Sequence, residues 1–159
     1  FDGTIKNIPN FHERIKFVDN VQFYENIKLK ILNASHSALA YLGLLLGHTY
    51  VHEAIDDELC YNFINKYLDK EVIPTIQKED KFDIPQYKQN ILKRFRNHFL
   101  NHKLEQIGMD GSLKIPIRII DTFKNRQKHT EYSLTYIIIA CWLFIRLLYI
   151  INLKSNTET

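Results

Sequence analysis

Apolar side chains recur every three or four residues along most of the chain, which is the spacing of an amphipathic α-helix. The longest such stretch, 21–49, has apolar residues at Ile27, Ile31, Ala34, Ala38, Leu42 and Leu45. The same spacing predicts further helices at about 51–72, 86–95, 98–107, 116–126 and 134–151. Pro74 ends the second helix because proline lacks the amide that a helix interior needs. No pair of alternating segments joined by a tight turn predicts a hairpin, so we expect an all-α, mainly helical fold.

With 159 residues, the chain has the length of one domain. Residues 1–19 are polar and irregular, with turn residues at Pro9 and Asn10, and we expect them to form a linker or arm. We expect one helical domain over 20–159. The only methionine is Met109, so Phe1 is not a translation start, and we expect the sequence to be a piece of a longer or processed protein.

Composition excludes several other classes of protein. Lys and Arg number 21 and Asp and Glu 18, and a net charge of +3 spread along the chain does not predict a nucleic-acid surface. The 5 glycines and 4 prolines are too few for a turn-rich β-sandwich. Cys60 and Cys141 have the spacing of neither a metal site nor a disulfide framework, which fits a reducing compartment, and we expect a cytoplasmic protein.

The apolar segment 134–151 has about the minimum length of a membrane span and contains one charge, Arg146. Arg146 lies well inside the segment, where a charge is costly in lipid, and the aromatic residues are not confined to its two ends. We therefore predict a core helix that is apolar nearly all round because it is buried nearly all round, and we do not expect a membrane span. A helical interaction domain, associated with a membrane through 134–151, is the alternative.

His48 and His52 stand one helical turn apart, and two histidines at that spacing are able to bind zinc. Glu53 follows them instead of lying between them, so the order differs from the H-E-x-x-H of zinc proteases. Spacing gives no third ligand. We therefore expect structural or surface histidines and no metal.

A polar group lies on the first predicted helix, in the segment KLKILNASHS at 28–37. At about 100° per residue, Asn33 lies about 140° and His36 about 80° from Lys28 around the helix, so the three share one face. Lys28 lies about 12 Å from His36 along the helix axis, but its side chain is long. An amine, an amide and an imidazole are therefore able to converge on a small molecule above this face.

Such a group suits the oxidation of an alcohol. A neutral lysine amine takes the hydroxyl proton as general base, and an amide donates to the oxygen as negative charge develops there. The imidazole orients the substrate hydroxyls. Spacing alone leaves open a second interpretation, in which the helix has a solvated lysine and an ordinary polar cluster.

The segment from Phe17 to Ala54, FVDNVQFYENIKLKILNASHSALAYLGLLLGHTYVHEA, resembles the start of the C-terminal domain of the mannitol dehydrogenase family. The family motif is a lysine, four residues, an asparagine, two residues and a histidine, which Lys28, Asn33 and His36 match. The blocks EVIPT at 71–75 and QIGMDGSLKIPIR at 106–118 also resemble later parts of the family. So does the apolar helix around Trp142, and the resemblance extends over 17–148.

The resemblance implies roles for individual residues. Lys28 would be the catalytic acid/base, Asn33 would stabilise the oxyanion, and His36 and Lys114 would bind substrate. Mannitol dehydrogenases have an arginine where Gln106 stands here, which leaves the substrate open. Lys30 lies too close to Asn33 to fit the motif. The family uses no metal.

The resemblance also implies a fold and a cofactor. The fold would be like the C-terminal domain of 6-phosphogluconate dehydrogenase, in a domain that usually continues past the position of Thr159. NAD or NADP would bind mainly to an N-terminal Rossmann domain, which this sequence lacks, since no G-x-G-x-x-G follows a strand. Gly43 and Gly47 fit close helix packing better than a phosphate site.

The implied function is that of the catalytic and substrate-binding half of an NAD(P)-dependent polyol or aldonate dehydrogenase. The substrate would be of the mannitol/fructose or mannonate/fructuronate type, and Lys28 would be the acid/base. We expect this piece to be inactive alone. The alternative is a non-catalytic helical interaction domain.

Overall fold

The computed structural model describes residues 18, 20–79, 82–125 and 133–155, with side chains up to Ile151. Within these ranges the chain is mainly helical and has no β-strand, only an isolated bridge between Tyr50 and Lys103. The predicted all-α fold is confirmed. Nearly all of the predicted arm at 1–19 lies outside the described residues. The helices are α1 (Val21–Ile27), π1 (Lys28–Asn33), α2 (Ala34–Leu45), α3 (Val51–Asp56), α4 (Glu58–Tyr67), π2 (Leu68–Val72), a 3₁₀ turn (Ile73–Thr75), α5 (Ile84–Phe95), α6 (Leu104–Gly108), α7 (Gly111–Ile115), π3 (Pro116–Ile120), α8 (Asp121–Lys124) and α9 (Leu134–Ser155).

Asp57 divides the helix that was predicted over 51–72. Its backbone is extended, and its carboxylate accepts hydrogen bonds from the amides of Leu59 at 2.8 Å and Cys60 at 3.1 Å. This is an N-cap, which satisfies amides that have no partner inside the new helix. The periodic pattern of apolar residues continues across Asp57, so periodicity alone did not show the break.

The helix predicted over 98–107 is wrong in its first half. Only Leu104–Gly108 is helical, and the residues before it run beside the turn that ends α2. The amide of Val51 donates to the carbonyl of His102 at 3.0 Å, and the amide of Leu104 donates to the carbonyl of Thr49 at 2.9 Å. These bonds to a distant part of the chain replace the local bonds of a helix.

Within the described ranges, three π-helical turns interrupt the α-helices, at Lys28–Asn33, Leu68–Val72 and Pro116–Ile120. A π turn is closed by hydrogen bonds over five residues instead of four, and such turns are frequent at functional sites. In π1 the amide of Ala34 reaches back to the carbonyl of Leu29. Both π2 and π3 contact π1, so the three turns lie together in the fold.

The α2 helix runs through the middle of the core and packs against α3, α4, α6 and α9. Gly43 permits this packing, because a Cβ there would lie 2.8 Å from both Ala54 Cβ and Leu104 Cδ1. The prediction of close helix packing is therefore right for Gly43. It is wrong for Gly47, which has open space around it and a φ of +85°, and so ends the helix in a left-handed turn.

The carboxylate of Glu71 holds the N-terminus of α9. It is buried and accepts hydrogen bonds from the hydroxyls of Ser133 and Thr135, each at 2.7 Å, and from the amides of Leu134 and Thr135. Burial alone would raise the pKa of Glu71, but these donors outweigh it and the pKa is lowered. Glu71 thus joins π2 to α9 across more than 60 residues of sequence.

The α9 helix is much more exposed than the sequence predicts. Its segment 134–151 has a mean hydropathy of 2.3 and is long and apolar enough to cross a membrane, yet only 17% of it is buried. Ile138 and Cys141 face the core, whereas Leu143, Phe144 and Leu147 are more than half exposed. The expected burial nearly all round is therefore wrong for the described chain, because α2 and α4 cover only one side of α9.

We expect Glu71→Gln to lower the free energy of unfolding by about 1–3 kcal/mol, because the new amide group places a donor where α9 needs an acceptor. Urea unfolding followed by circular dichroism measures the change. The control is Glu58→Gln, at an exposed position in the first turn of α4, which should change stability by less than about 0.5 kcal/mol. Equal losses in the two variants would contradict the anchoring role.

Candidate functional site

The π1 turn changes the register of the first long helix at the predicted motif. Because a π turn contains one more residue than an α turn, Lys28 and Asn33 stand in the relation that residues i and i+4 have in an α-helix. His36 follows three residues later in α2. The structure therefore brings Lys28 and Asn33 closer to a common face than the α-helical spacing predicts.

A cavity of about 140 Å³ lies beside this face, and we call it the His36 cavity. It is lined by Leu32, Asn33, His36, Val51, Arg94, Phe95, Leu100 and His102. Two of the four predicted site residues, Asn33 and His36, therefore share one cavity. Lys28 does not line it, and its side chain is exposed.

His36 is held in place by an aromatic contact. Its ring stacks on Phe95 with centroids 5.0 Å apart, and the His102 ring lies at 6.3 Å. Nε2 of His36 is buried and has no hydrogen-bond partner among the described residues. Burial, and then the positive fields of His102, Arg118 and Lys114, lower the pKa of His36 to about 4. His36 is therefore neutral at physiological pH and free to donate to or accept from a ligand hydroxyl.

Lys114 and Arg118 lie one turn apart behind His36. The Lys114 ammonium donates to the carbonyl of Ile107 at 3.2 Å, and the Arg118 guanidinium donates to Ser37 Oγ at 2.9 Å. Both act on His36 through their charge, so the structure brings Lys114 into the same region as His36. The sequence analysis missed Arg118, although its place four residues after Lys114 was a signal that it shares the same helix face.

Arg94 and His102 are also site residues that the sequence analysis missed. Both line the His36 cavity, Arg94 from the end of α5 and His102 from the irregular segment before α6. No spacing pattern links either residue to His36, so only the tertiary structure brings them together. Gln106, where the family has an arginine, is exposed and does not line this cavity.

Gly111 sets the position of α7, which carries Lys114. A Cβ on Gly111 would lie 2.2 Å from Trp142 Nε1 and 2.7 Å from Tyr41 Oη, distances that real side chains do not adopt. The preceding residue, Asp110, has a φ of 56°, and its carbonyl accepts from the amides of Leu113 and Lys114 at 3.0 Å each. The segment DGSLK is therefore a tight turn into a helix that packs directly on α2 and α9.

Lys30, the nearby lysine that does not fit the motif, lies in different surroundings. Its ammonium donates to the carbonyl of Thr75 at 3.3 Å and to the Thr75 hydroxyl at 3.4 Å. It lines a separate polar cavity of about 550 Å³ that shares no residue with the His36 cavity. Lys30 thus binds Thr75 of the EVIPT block, and its side chain does not line the His36 cavity.

His48 and His52 do not form a pair. His48 Nε2 lies 3.2 Å from Asp57 Oδ2, whereas His52 stacks on Tyr50 and lies 4.6 Å from the His98 ring. Donor atoms of His48, Asp57 and Cys60 lie within 4.8 Å of one another, a grouping that the histidine spacing did not predict. Capping of α4 by Asp57 and burial of Cys60 in the core account for these contacts.

The described residues offer no recognisable site for a dinucleotide. Such a site is usually a glycine-rich turn between a parallel strand and a helix, and the described part of the chain has no strand. What the arrangement provides is an amide, a neutral imidazole and several cations around a small cavity. These groups are suited to binding and orienting a hydroxylated molecule.

Comparison with known proteins finds one family. The sequence model of the mannitol dehydrogenase C-terminal domain matches residues 20–150. A mannitol dehydrogenase of Saccharomyces cerevisiae is 33% identical over 80% of this chain and 26% of its own length, and an altronate oxidoreductase of Pectobacterium carotovorum is 31% identical over 83% and 28%. Pseudomonas fluorescens mannitol 2-dehydrogenase, solved with NAD and D-mannitol, superposes with a TM-score of 0.74 and 35% identity over 80% of this chain and 26% of that one. The chain thus spans about a quarter of the length of these relatives.

The lowered pKa of His36 predicts a pH dependence of stability. Its ordinary pKa of 6.5 returns on unfolding, so the unfolded state takes up a proton between pH 6.5 and about 4 that the folded state does not. Stability is therefore complete above pH 6.5 and falls as the pH is lowered through that window. We expect NMR to show the His36 ring neutral at pH 5, and we expect His36→Asn to lose less stability than wild type between pH 7 and 5. A His36 ring that is protonated at pH 6 would contradict this account.

Gly111→Ala should destabilise the domain by about 1–3 kcal/mol, because Trp142 and Tyr41 must move away to admit the methyl group. Gly108→Ala is the matched control, since a Cβ there comes no nearer than 3.4 Å to its neighbours. Thermal unfolding compares the two variants. A Gly111→Ala variant as stable as Gly108→Ala would show that the contact at Gly111 does not constrain α7.

Proposed function

Because the chain belongs to the mannitol dehydrogenase C-terminal domain family, we propose that it is the substrate-binding and catalytic part of an NAD(P)-dependent dehydrogenase. The reaction interconverts a sugar alcohol or an aldonate with the corresponding keto sugar or keto-uronate. The observation that carries the proposal is the His36 cavity, in which Asn33 and His36 meet beside the helix that continues from Lys28.

In this proposal Lys28 is the general acid/base. It removes the proton of the substrate hydroxyl while the hydrogen on the same carbon leaves as hydride, so that the carbon–oxygen bond becomes a carbonyl. The proton stays on the Lys28 amine, and the two electrons leave with the hydride. A lysine acts as base only when neutral, and burial favours that form. Since Lys28 is exposed in the described chain, we propose that the nucleotide-binding domain covers it.

Asn33 and His36 hold the substrate during this step. The Asn33 amide donates to the oxygen as it gains negative charge, and its place on the π1 face next to Lys28 directs it to the same atom. Neutral His36 both donates and accepts, which matches the needs of a hydroxyl group. Lys114, held by the carbonyl of Ile107, adds a positive field from behind.

The cofactor is NAD or NADP, which accepts the hydride when bound. The mannitol 2-dehydrogenase relative was solved with NAD, which supports an NAD-type cofactor, and we propose a separate Rossmann domain as the partner that holds it. No residue of this chain is assigned to a metal. The two free, buried cysteines support a cytoplasmic location.

The alternative is a helical interaction domain associated with a membrane, and the exposed apolar face of α9 favours it. The family match extends to residue 150 and so includes most of α9, which supports its role as an element of the dehydrogenase domain. Partition of the expressed chain between aqueous and detergent phases separates the two: an enzyme domain stays in the aqueous phase.

We expect Lys28→Met to lower the kcat of the intact dehydrogenase by about 10²–10⁴-fold, because general-base assistance is removed while the aliphatic length of the side chain is kept. NADH formation from a polyol or an aldonate measures the rate. Lys30→Met is the matched control, since it removes the same charge two residues away on a side chain that binds Thr75. Near-normal turnover in Lys28→Met, or equal losses in both variants, would reject the catalytic role of Lys28.

A further inference from the structure

The polar groups around the His36 cavity are rich in hydrogen-bond donors and basic in charge. Arg94 offers only hydrogen-bond donors, whereas Asn33 and neutral His36 each offer both a donor and an acceptor. None of the residues that line the cavity is acidic. The charged groups whose fields reach His36 are His102, Arg118 and Lys114, which are all basic.

Among the described residues, the basic side chains Arg94, Lys114 and Arg118 form no ion pair with a carboxylate. Lys88, Arg96, His48 and His98 form ion pairs with aspartates elsewhere in the described chain. In contrast, no carboxylate lies within ion-pair distance of Arg94, Lys114 or Arg118 among the described residues. The Arg94 side chain is exposed at the edge of the cavity, so its positive charge is available to the carboxylate of a ligand.

We propose that the His36 cavity binds the carboxylate of an acidic sugar substrate, and that Arg94 and His102 are the residues that select it. This rests on the proposed function and names its substrate class: an aldonate in preference to the neutral alditol. A carboxylate accepts hydrogen bonds only and matches the donor-rich lining, whereas a primary hydroxyl also needs an acceptor.

The size of the cavity agrees with this assignment. With a volume of about 140 Å³, the cavity is small and would take one end of a six-carbon chain. The acid group would lie between Arg94 and His102, with the remaining hydroxyls on His36. The rest of the substrate then extends along the π1 face, past Asn33 toward Lys28.

The test compares two substrates that differ only at one terminal carbon, D-mannonate with a carboxylate and D-mannitol with a hydroxymethyl group. In the intact dehydrogenase, with NAD and with NADP, we expect kcat/KM to be at least about 10-fold higher for D-mannonate. The reason is that a charge-assisted hydrogen bond raises affinity about 10- to 100-fold. Arg94→Gln and His102→Asn should lower kcat/KM for D-mannonate about 10- to 100-fold, mainly through KM, and lower that for D-mannitol by a clearly smaller factor.

Arg96→Gln is the matched control. Arg96 lies two residues after Arg94, pairs with Asp56 at 3.4 Å, lies over the Tyr61 ring at 4.6 Å and does not line the cavity. It should leave the ratio of the two substrates unchanged. Melting temperatures of all three variants show whether each is folded.

The outcomes separate this inference from the proposed function. A preference for D-mannitol, or an equal loss for both substrates in Arg94→Gln, would overturn the carboxylate site while leaving the dehydrogenase assignment intact. Absence of cofactor-coupled oxidation with polyols and aldonates alike would overturn both. A selective loss for D-mannonate in Arg94→Gln and His102→Asn, with an unchanged ratio in Arg96→Gln, supports the carboxylate site.

Discussion

The close approach of Gly111 to Tyr41 and Trp142 is the constraint on which the arrangement of the site depends. At this point three helices that are distant in sequence, α2, α7 and α9, pack so closely that a Cβ on Gly111 would clash with Tyr41 and Trp142. Because α7 continues into π3, the same contact fixes where Lys114 and Arg118 lie relative to His36. The positive field on His36 is thus a consequence of backbone packing and not of any direct bond to its ring.

A second contact, between Glu71 and the N-terminus of α9, completes this frame. The helix that presses Trp142 against Gly111 is itself held by a buried carboxylate from π2. A carboxylate at a helix N-terminus is favoured both by the unpaired amides and by the helix dipole. The blocks EVIPT and DGSLK contribute no reacting group to the proposed mechanism, only the positive field of Lys114. They therefore serve mainly to position the helix with Asn33 and His36.

The geometry divides the site into two zones with different chemical character. The His36 cavity is partly enclosed and basic, whereas Lys28 lies on an exposed edge of the same helix. In the proposed dehydrogenase, Lys28 would act at the exposed edge, and the substrate would be recognised in the cavity. The π1 turn connects the two zones, because its extra residue brings Lys28 onto the same helix face as Asn33.

By itself, the sequence determined the all-α class, the approximate places of most helices and the line from Lys28 through Asn33 to His36, because periodicity and motif spacing are local properties. It could not determine the cap at Asp57, the irregular path before Leu104 or the one-sided exposure of α9, because each depends on groups far away in the chain. For the same reason Arg94, His102 and Arg118 became visible as neighbours of His36 only in the folded chain. The basic residues near the cavity come from three separate segments of the chain, and tertiary packing alone decides how close together they lie.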